Sequence, residues 1–141
     1  MEIKKLLVAD EIEKCSEVIF ELRPHLSGQD LAPLFEIMRT EGFHLIYIEE
    51  AGRAIAFAGY RYLSMFYSGK TLYIDDLATL PAYRGKGCAS ALLDFLIEEA
   101  RLKNCDTISL DSGHQRFSAH RLYLNKGFEI KAHHFERNLS K

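Results

Sequence analysis

Three strand-length apolar runs follow one another between residues 43 and 79, with only short breaks between them. Residues 43–48 and 54–63 are parted by Glu49-Glu50-Ala51-Gly52-Arg53. A second break around Ser68-Gly69-Lys70 leads into residues 71–79, and Pro81 closes that run. Breaks of this length are too short for parallel crossovers, which take a dozen or more residues, so the middle of the chain reads as antiparallel hairpins.

Helical patterns flank this centre. Residues 87–103 carry Ala89, Leu92, Leu93, Leu96 and Ala100 on one face, opposite Ser90, Asp94, Glu98 and Arg101. Asp10, with Glu13 three residues on, predicts a capped helix start. Ile12, Cys15, Ile19, Leu22 and Leu26 continue at helical spacing, and Pro24 marks its end. A second helix is expected within residues 29–40, stopped by Gly42, and another over 116–126, closed by Gly127. Strands are expected at 3–8, 107–110 and 128–137. The order is β-α-α-β-β-β-α-β-α-β, a mixed α/β (α+β) fold with a sheet of about six strands covered by about four helices.

The chain has 141 residues and shows neither repeat nor linker, so one domain spanning 1–141 is expected. Its 18 lysines and arginines against 20 aspartates and glutamates argue against nucleic acid, which usually leaves a basic excess. No apolar run approaches the ~20 residues of a membrane span. The N-terminus has no signal-like stretch, because Asp10, Glu11 and Glu13 interrupt it. A cytoplasmic location is the expectation. Cys15, Cys88 and Cys105 are odd in number and far apart, which suggests neither a disulfide framework nor a zinc site. His133-His134 has no carboxylate or cysteine at metal spacing, so no metal is expected.

The segment Pro81-Ala82-Tyr83-Arg84-Gly85-Lys86-Gly87-Cys88-Ala89-Ser90 lies between a strand end and a helix start. Backbone N–H groups, the positive end of the helix dipole and close-approach glycines make such a loop an anion cradle, and Arg84 and Lys86 add charge. An ordinary strand-to-helix loop is the alternative. The nucleoside-triphosphate loop pattern fails, since Ser64 stands where its first glycine belongs. The dinucleotide fingerprint fails at Ser90.

Residues 84–89 do fit R-x-x-G-x-A, and here the chain resembles the GNAT superfamily of acyl-CoA-dependent N-acetyltransferases, whose pyrophosphate loop reads Q/R-x-x-G-x-G/A. Ala119-His120-Arg121-Leu122-Tyr123-Leu124-Asn125-Lys126-Gly127-Phe128 is similar to that family's A-x-x-L-Y-x-x-x-G-F segment. The resemblance covers residues 71–137 and implies a splayed central sheet with acetyl-CoA as cosubstrate. It implies that backbone N–H groups of Gly85, Gly87, Cys88 and Ala89 hold the pyrophosphate, with Arg84 and Lys86 contributing charge. The pantetheine arm would pair with the backbone of Leu77, Ala78 and Thr79, and an N–H near Leu77 would face the thioester carbonyl. Tyr123 stands where the family places the acid that protonates the departing thiolate; a tyrosine with its ring in the core and its hydroxyl at the rim is the alternative. Arg116 replaces an asparagine common in the family against pantetheine, which leaves either no arm contact or an arginine contact to phosphate.

Asp75 and Asp76 are unusual inside an apolar strand, and strict alternation puts them on opposite faces. Ile74-Asp75-Asp76-Leu77-Ala78-Thr79 resembles the L-E-D-x-x-V stretch of diamine acetyltransferases, which implies Asp75 as the acceptor of the amine's proton. A strand-end pair capping the Pro81 loop or bound to Arg84 is the alternative. Cys88 sits at a helix start, which lowers a thiol's pKa. Arg23, His25, Asp30, Glu36 and Glu41 lie where substrate choice is expected.

The implied activity is acetyl transfer from acetyl-CoA to a primary amine, small-molecule or peptide-like, by direct attack in a ternary complex. The competing class is a non-catalytic acyl-CoA-binding or regulatory module. A free edge on the last strand would make homodimerisation plausible.

Overall fold

The computed structural model describes residues 1–140, which fall into two compact units, Met1–Leu110 and a smaller one from Asp111 onward. The first unit contains one five-stranded sheet: β1 (Ile3–Lys5), β2 (His44–Glu50), β3 (Arg53–Met65), β4 (Gly69–Thr79) and β5 (Thr107–Leu110), in that spatial order. The first three pairings are antiparallel, as the short breaks require for β2–β3 and β3–β4, and β4 pairs β5 in parallel. The crossover between those two contains α3 (Cys88–Leu102). The β2–β3 turn is the two-residue Ala51-Gly52, both at positive φ (55° and 79°), which matches the twist of a tight hairpin.

Ala54 through Tyr60 of β3 are buried without a break. Burial of successive residues means that both faces of the sheet are covered there. α1 (Ser16–Leu22) packs on β3 and β4, while α3 contacts β2 through β5. Leu92, Leu93 and Leu96 of α3 are fully buried, each contributing roughly 1.5–3 kcal/mol. α2 (Ala32–Thr40) ends before Gly42, as its sequence predicts.

The first helix departs from expectation. Residues Ala9–Cys15 wind as a 3-10 helix with Asp10 inside it and no side-chain cap, and α-helix begins only at Ser16. After Arg23 the chain makes a further 3-10 turn, Pro24–Leu26.

The smaller unit contains α4 (Phe117–Asn125), followed by Gly127 at φ 92° as expected. The strand expected at 128–137 does not form. Its alternation offers an apolar face, but a strand also needs a neighbour to bond, and Ile130 and Phe135 remain exposed. The free edge invoked for a homodimer therefore has no strand behind it.

Gly59 is required by close approach. A Cβ there would lie 2.3 Å from Cζ of the buried Phe43 ring. Gly59→Ala is expected to destabilise the protein by about 1–3 kcal/mol, measured by urea unfolding, because the ring must move within a packed core.

Candidate active site

β4 leads through Leu80 into a short 3-10 turn, Pro81–Tyr83, and then into the glycine loop ahead of α3. Gly87 is the N-cap of α3 at φ 89°, and Gly85 sits at φ 77°. Both are left-handed conformations that glycine adopts without cost. A Cβ on Gly85 would meet nothing within 4 Å, and one on Gly87 would meet only Met1 Cε at 3.8 Å. No side chain caps the helix. Its leading N–H groups, those of Cys88 and Ala89 among them, lie at the positive end of a 15-residue helix, roughly half a unit charge, next to the open Cβ position of Gly85. This shape fits an anion held by backbone.

The cations of the loop are partly committed. Arg84 donates from Nε to Thr79 O at 3.2 Å and from Nη2 to Glu21 at 3.2 Å, which ties the loop to the end of β4 and to α1. Its partner is Glu21, not the aspartate pair. Lys86 is exposed with its ammonium 5.3 Å from the Tyr83 ring centre, so its charge remains available at the rim. The Cys88 thiol is buried, and burial pushes its pKa up against the pull of Lys86. It is a packed thiol; what this residue offers the loop is its N–H.

β4 also presents an unpaired edge. β5 pairs with Thr71–Ile74 and ends at Leu110, so past Ile74 no strand lies on that side among the described residues. Leu80 N donates to Ile55 O at 2.8 Å. Bonded pairs in an antiparallel ladder recur at every second residue, which makes Ala78–Phe57 and Asp76–Gly59 the next ones. Leu77 and Thr79 therefore turn N–H and C=O away from β3, toward the open edge, and Arg84 takes the Thr79 carbonyl there. An extended chain could bond this edge as an added strand running toward the glycine loop.

The aspartate pair lies at the start of that edge, and the expected alternation fails there. Gly59 pairs with Asp76 and Tyr60 with Ile74, leaving Asp75 as the extra residue of a β-bulge. Both carboxylates come to the side of the sheet where Phe43 lies. Asp75 is gripped bidentately by Arg61, Nε to Oδ1 at 3.0 Å and Nη2 to Oδ2 at 2.7 Å. The Arg61 guanidinium rests 5.4 Å from the Phe43 ring centre, with Glu41 at 3.9 Å. Asp76 accepts from Arg23 on Oδ1 alone, at 3.0 and 2.5 Å, and Arg23 also donates to the Asp75 carbonyl at 3.2 Å. Burial raises the Asp76 pKa, with the Arg23 hydrogen bond opposing it.

Arg61 and Gly59 went unrecognised at the sequence level. A charged residue inside the apolar run 54–63 was the available signal for Arg61; nothing marked the bulge.

In the smaller unit, Tyr123 is 8% exposed and its ring packs at 6.0 Å from that of Phe128. Burial raises its pKa, while the Arg116 cation pulls the other way. Arg116 precedes α4 and is exposed. His134 lies 3.6 Å from Asp111 and 3.4 Å from Glu136. Among the described residues no group of three or more His, Cys, Asp or Glu is placed to hold a metal ion, and no helix is long and apolar enough to cross a membrane.

Residues 8–128 match the family model described as Acetyltransferase (GNAT) family. The chain is 31% identical over 137 residues to the Uncharacterized N-acetyltransferase YhdJ of Bacillus subtilis (strain 168), covering 96% of each. It is 32% identical over 93 residues to the Glucosamine 6-phosphate N-acetyltransferase of Trypanosoma brucei brucei, covering 63% of each. Its fold matches the solved structure of AAC(6')-Iy in complex with the bisubstrate analog CoA-S-monomethyl-acetylneamine. There the TM-score is 0.81 at 20% identity, over 99% of this chain and 98% of the other.

Proposed function

The chain belongs to the acetyltransferase (GNAT) family, and on that premise we propose that it moves the acetyl group of acetyl-CoA onto a primary amine by direct attack in a ternary complex. The observation that carries this reading is the open β4 edge beginning at the bulge and leading into the glycine cradle ahead of α3. A binding cleft for an extended arm with an anionic end needs both features, and they follow each other along one stretch of chain. The family match spans both compact units, which supports reading 1–141 as one acetyltransferase domain.

In this reading Gly85, Gly87, Cys88 and Ala89 hold the pyrophosphate by N–H groups, Arg84 steadies the loop, and Lys86 supplies charge at the rim. Leu77, Ala78 and Thr79 bind the arm. The Leu77 N–H stabilises the oxyanion that develops on attack, an effect worth about 2.7–4 kcal/mol for one good donor. The acceptor arrives as ammonium and must lose a proton first, a task for the Asp75–Asp76 pair. Tyr123, assigned from its motif, protonates the thiolate, and Arg116 is assigned a phosphate contact on the same basis. No metal enters. The acceptor is a small primary amine or a peptide-like amine, and the relative named for glucosamine 6-phosphate makes that compound the first probe. A soluble intracellular setting is part of the same reading.

Direct attack has a kinetic signature. Initial rates of thiol release, with acetyl-CoA and amine varied together over a panel of glucosamine 6-phosphate, spermidine and lysyl peptides, are expected to give intersecting double-reciprocal lines. Parallel lines, the mark of an acyl-enzyme, would contradict it.

A further inference from the structure

We propose that Arg23, at the end of α1, is a positioning residue: it fixes the unpaired stretch of β4 and so aims the Leu77 N–H at the thioester. This deepens the acetyltransferase reading above and rests on it. Residues 75–79 are the part of β4 most in need of outside support. β5 pairs with β4 only as far as Ile74, so beyond it one edge has no partner strand among the described residues. On the other edge the register to β3 slips at Asp75, which has no residue opposite. A bulge interrupts the ladder and leaves the peptides beside it freer to turn than those of a regular strand. Leu77 comes two residues later.

α1 reaches this stretch from a fixed base. Its Val18 is fully buried, and the helix packs on β3 and β4. Arg23 is the C-cap. Its N–H donates to Ile19 O at 2.8 Å, and Pro24 after it holds its backbone out of the helical region, at φ −124° and ψ 69°. From there the guanidinium makes three hydrogen bonds to two consecutive residues of β4. Nη2 donates to the Asp75 carbonyl at 3.2 Å, and Nε and Nη2 donate to Asp76 Oδ1 at 3.0 and 2.5 Å. The first bond fixes the peptide that joins Asp75 to Asp76. The other two fix the side chain of the residue whose carbonyl carbon is bonded to the Leu77 nitrogen. A planar fork imposes an orientation, whereas a lysine ammonium supplies only a point charge.

The same helix holds the far end of the stretch. Glu21, two residues before Arg23, accepts from Arg84 Nη2 at 3.2 Å, while Arg84 Nε donates to Thr79 O at 3.2 Å. That ion pair is exposed, so its share is the smaller one. Arg23 lies among the residues where substrate choice was expected, yet its hydrogen bonds go to β4. Substrate choice is therefore the rival role, and the two roles differ in what they do to the rate.

The test compares wild type with Arg23→Gln and Arg23→Lys, with melting temperature and acetyl-CoA affinity checking the fold and the donor site. Amide hydrogen exchange, read peptide by peptide, should quicken at least ~threefold over residues 75–80 in Arg23→Gln and keep the wild-type rate over α3. The single-turnover rate of acetyl transfer at saturating acetyl-CoA should fall about tenfold, a part of the 10²–10³ that loss of a whole oxyanion donor costs. The factor should be common to every amine of the panel above that wild type acetylates, with the half-saturating amine concentration unchanged. Arg23→Lys keeps a cation for Asp76 without the fork and should recover part of the rate; if Arg23→Gln fails to fold, Arg23→Lys carries the same comparison with a smaller loss. Weaker amine binding at an unchanged saturated rate, or a loss that differs from amine to amine, would make Arg23 a substrate contact and overturn the proposal. Unchanged exchange over residues 75–80, or an unchanged rate, would overturn it as well, and in each of these cases wild-type transfer still supports the acetyltransferase reading. Wild type that binds acetyl-CoA but acetylates no amine would overturn that reading, and this inference with it.

Discussion

Gly87→Trp is expected to weaken acetyl-CoA binding at least ~100-fold, about 2.8 kcal/mol, in a calorimetric titration. Two physical effects add. Gly87 caps α3 at φ 89°, where any residue with a Cβ carries roughly 1–2 kcal/mol of strain. The indole would also fill the space ahead of the helix, now bounded on the Cβ side only by Met1. The loss should fall on the phosphates, so acetyl-pantetheine, which lacks the pyrophosphate, should bind wild type and variant alike. The exposed position keeps the damage to the fold small, which a melting curve checks. Equal acetyl-CoA affinity in both proteins would mean that the glycine loop is not the anion site.

The second large effect concerns Tyr123. Tyr123→Phe is expected to lower kcat by about 10²-fold, the lower end of what a positioned general acid contributes. The ring and its packing against Phe128 are kept, so acetyl-CoA affinity should hold and stability should change by less than about 1 kcal/mol. The pH dependence has a definite sign. Burial raises the phenol's pKa, with Arg116 only partly offsetting it, so the proton stays on the oxygen through neutral and mildly alkaline pH. In wild type, the alkaline loss of turnover assigned to this group should begin above the ordinary tyrosine value of about 10. A variant with unchanged kcat would reduce Tyr123 to a core residue with its hydroxyl at the rim.

Much of this was legible in the sequence because the signals were local. The hairpins between residues 43 and 79, the face of α3 and the stop at Gly127 each follow from spacing or from one glycine. The glycine loop was legible too, since its conformation is required by Gly85 and Gly87 themselves. What the sequence did not show depends on partners distant along the chain. Whether residues 128–137 form a strand depends on a neighbour that alternation cannot supply. The helix start at Asp10 tightened into a 3-10 turn, where side-chain spacing resembles that of an α-helix too closely to separate them. The bulge at Asp75 is a register event between β3 and β4. It brings to one side the two aspartates that alternation sets apart, and Arg61, a charged residue within the run 54–63, into contact with Asp75.

The central claim is that this chain transfers acetyl groups and does more than bind their carrier. The most direct measurement incubates purified protein with acetyl-CoA and the amine panel, then reads free thiol and acetylated amine together by mass spectrometry. The account predicts stoichiometric formation of both products with at least one amine, dependent on Tyr123 and abolished with Gly87→Trp at sub-saturating acetyl-CoA. Tight acetyl-CoA binding with neither product from any amine would contradict it, and would identify the chain as a binding module on an acetyltransferase fold.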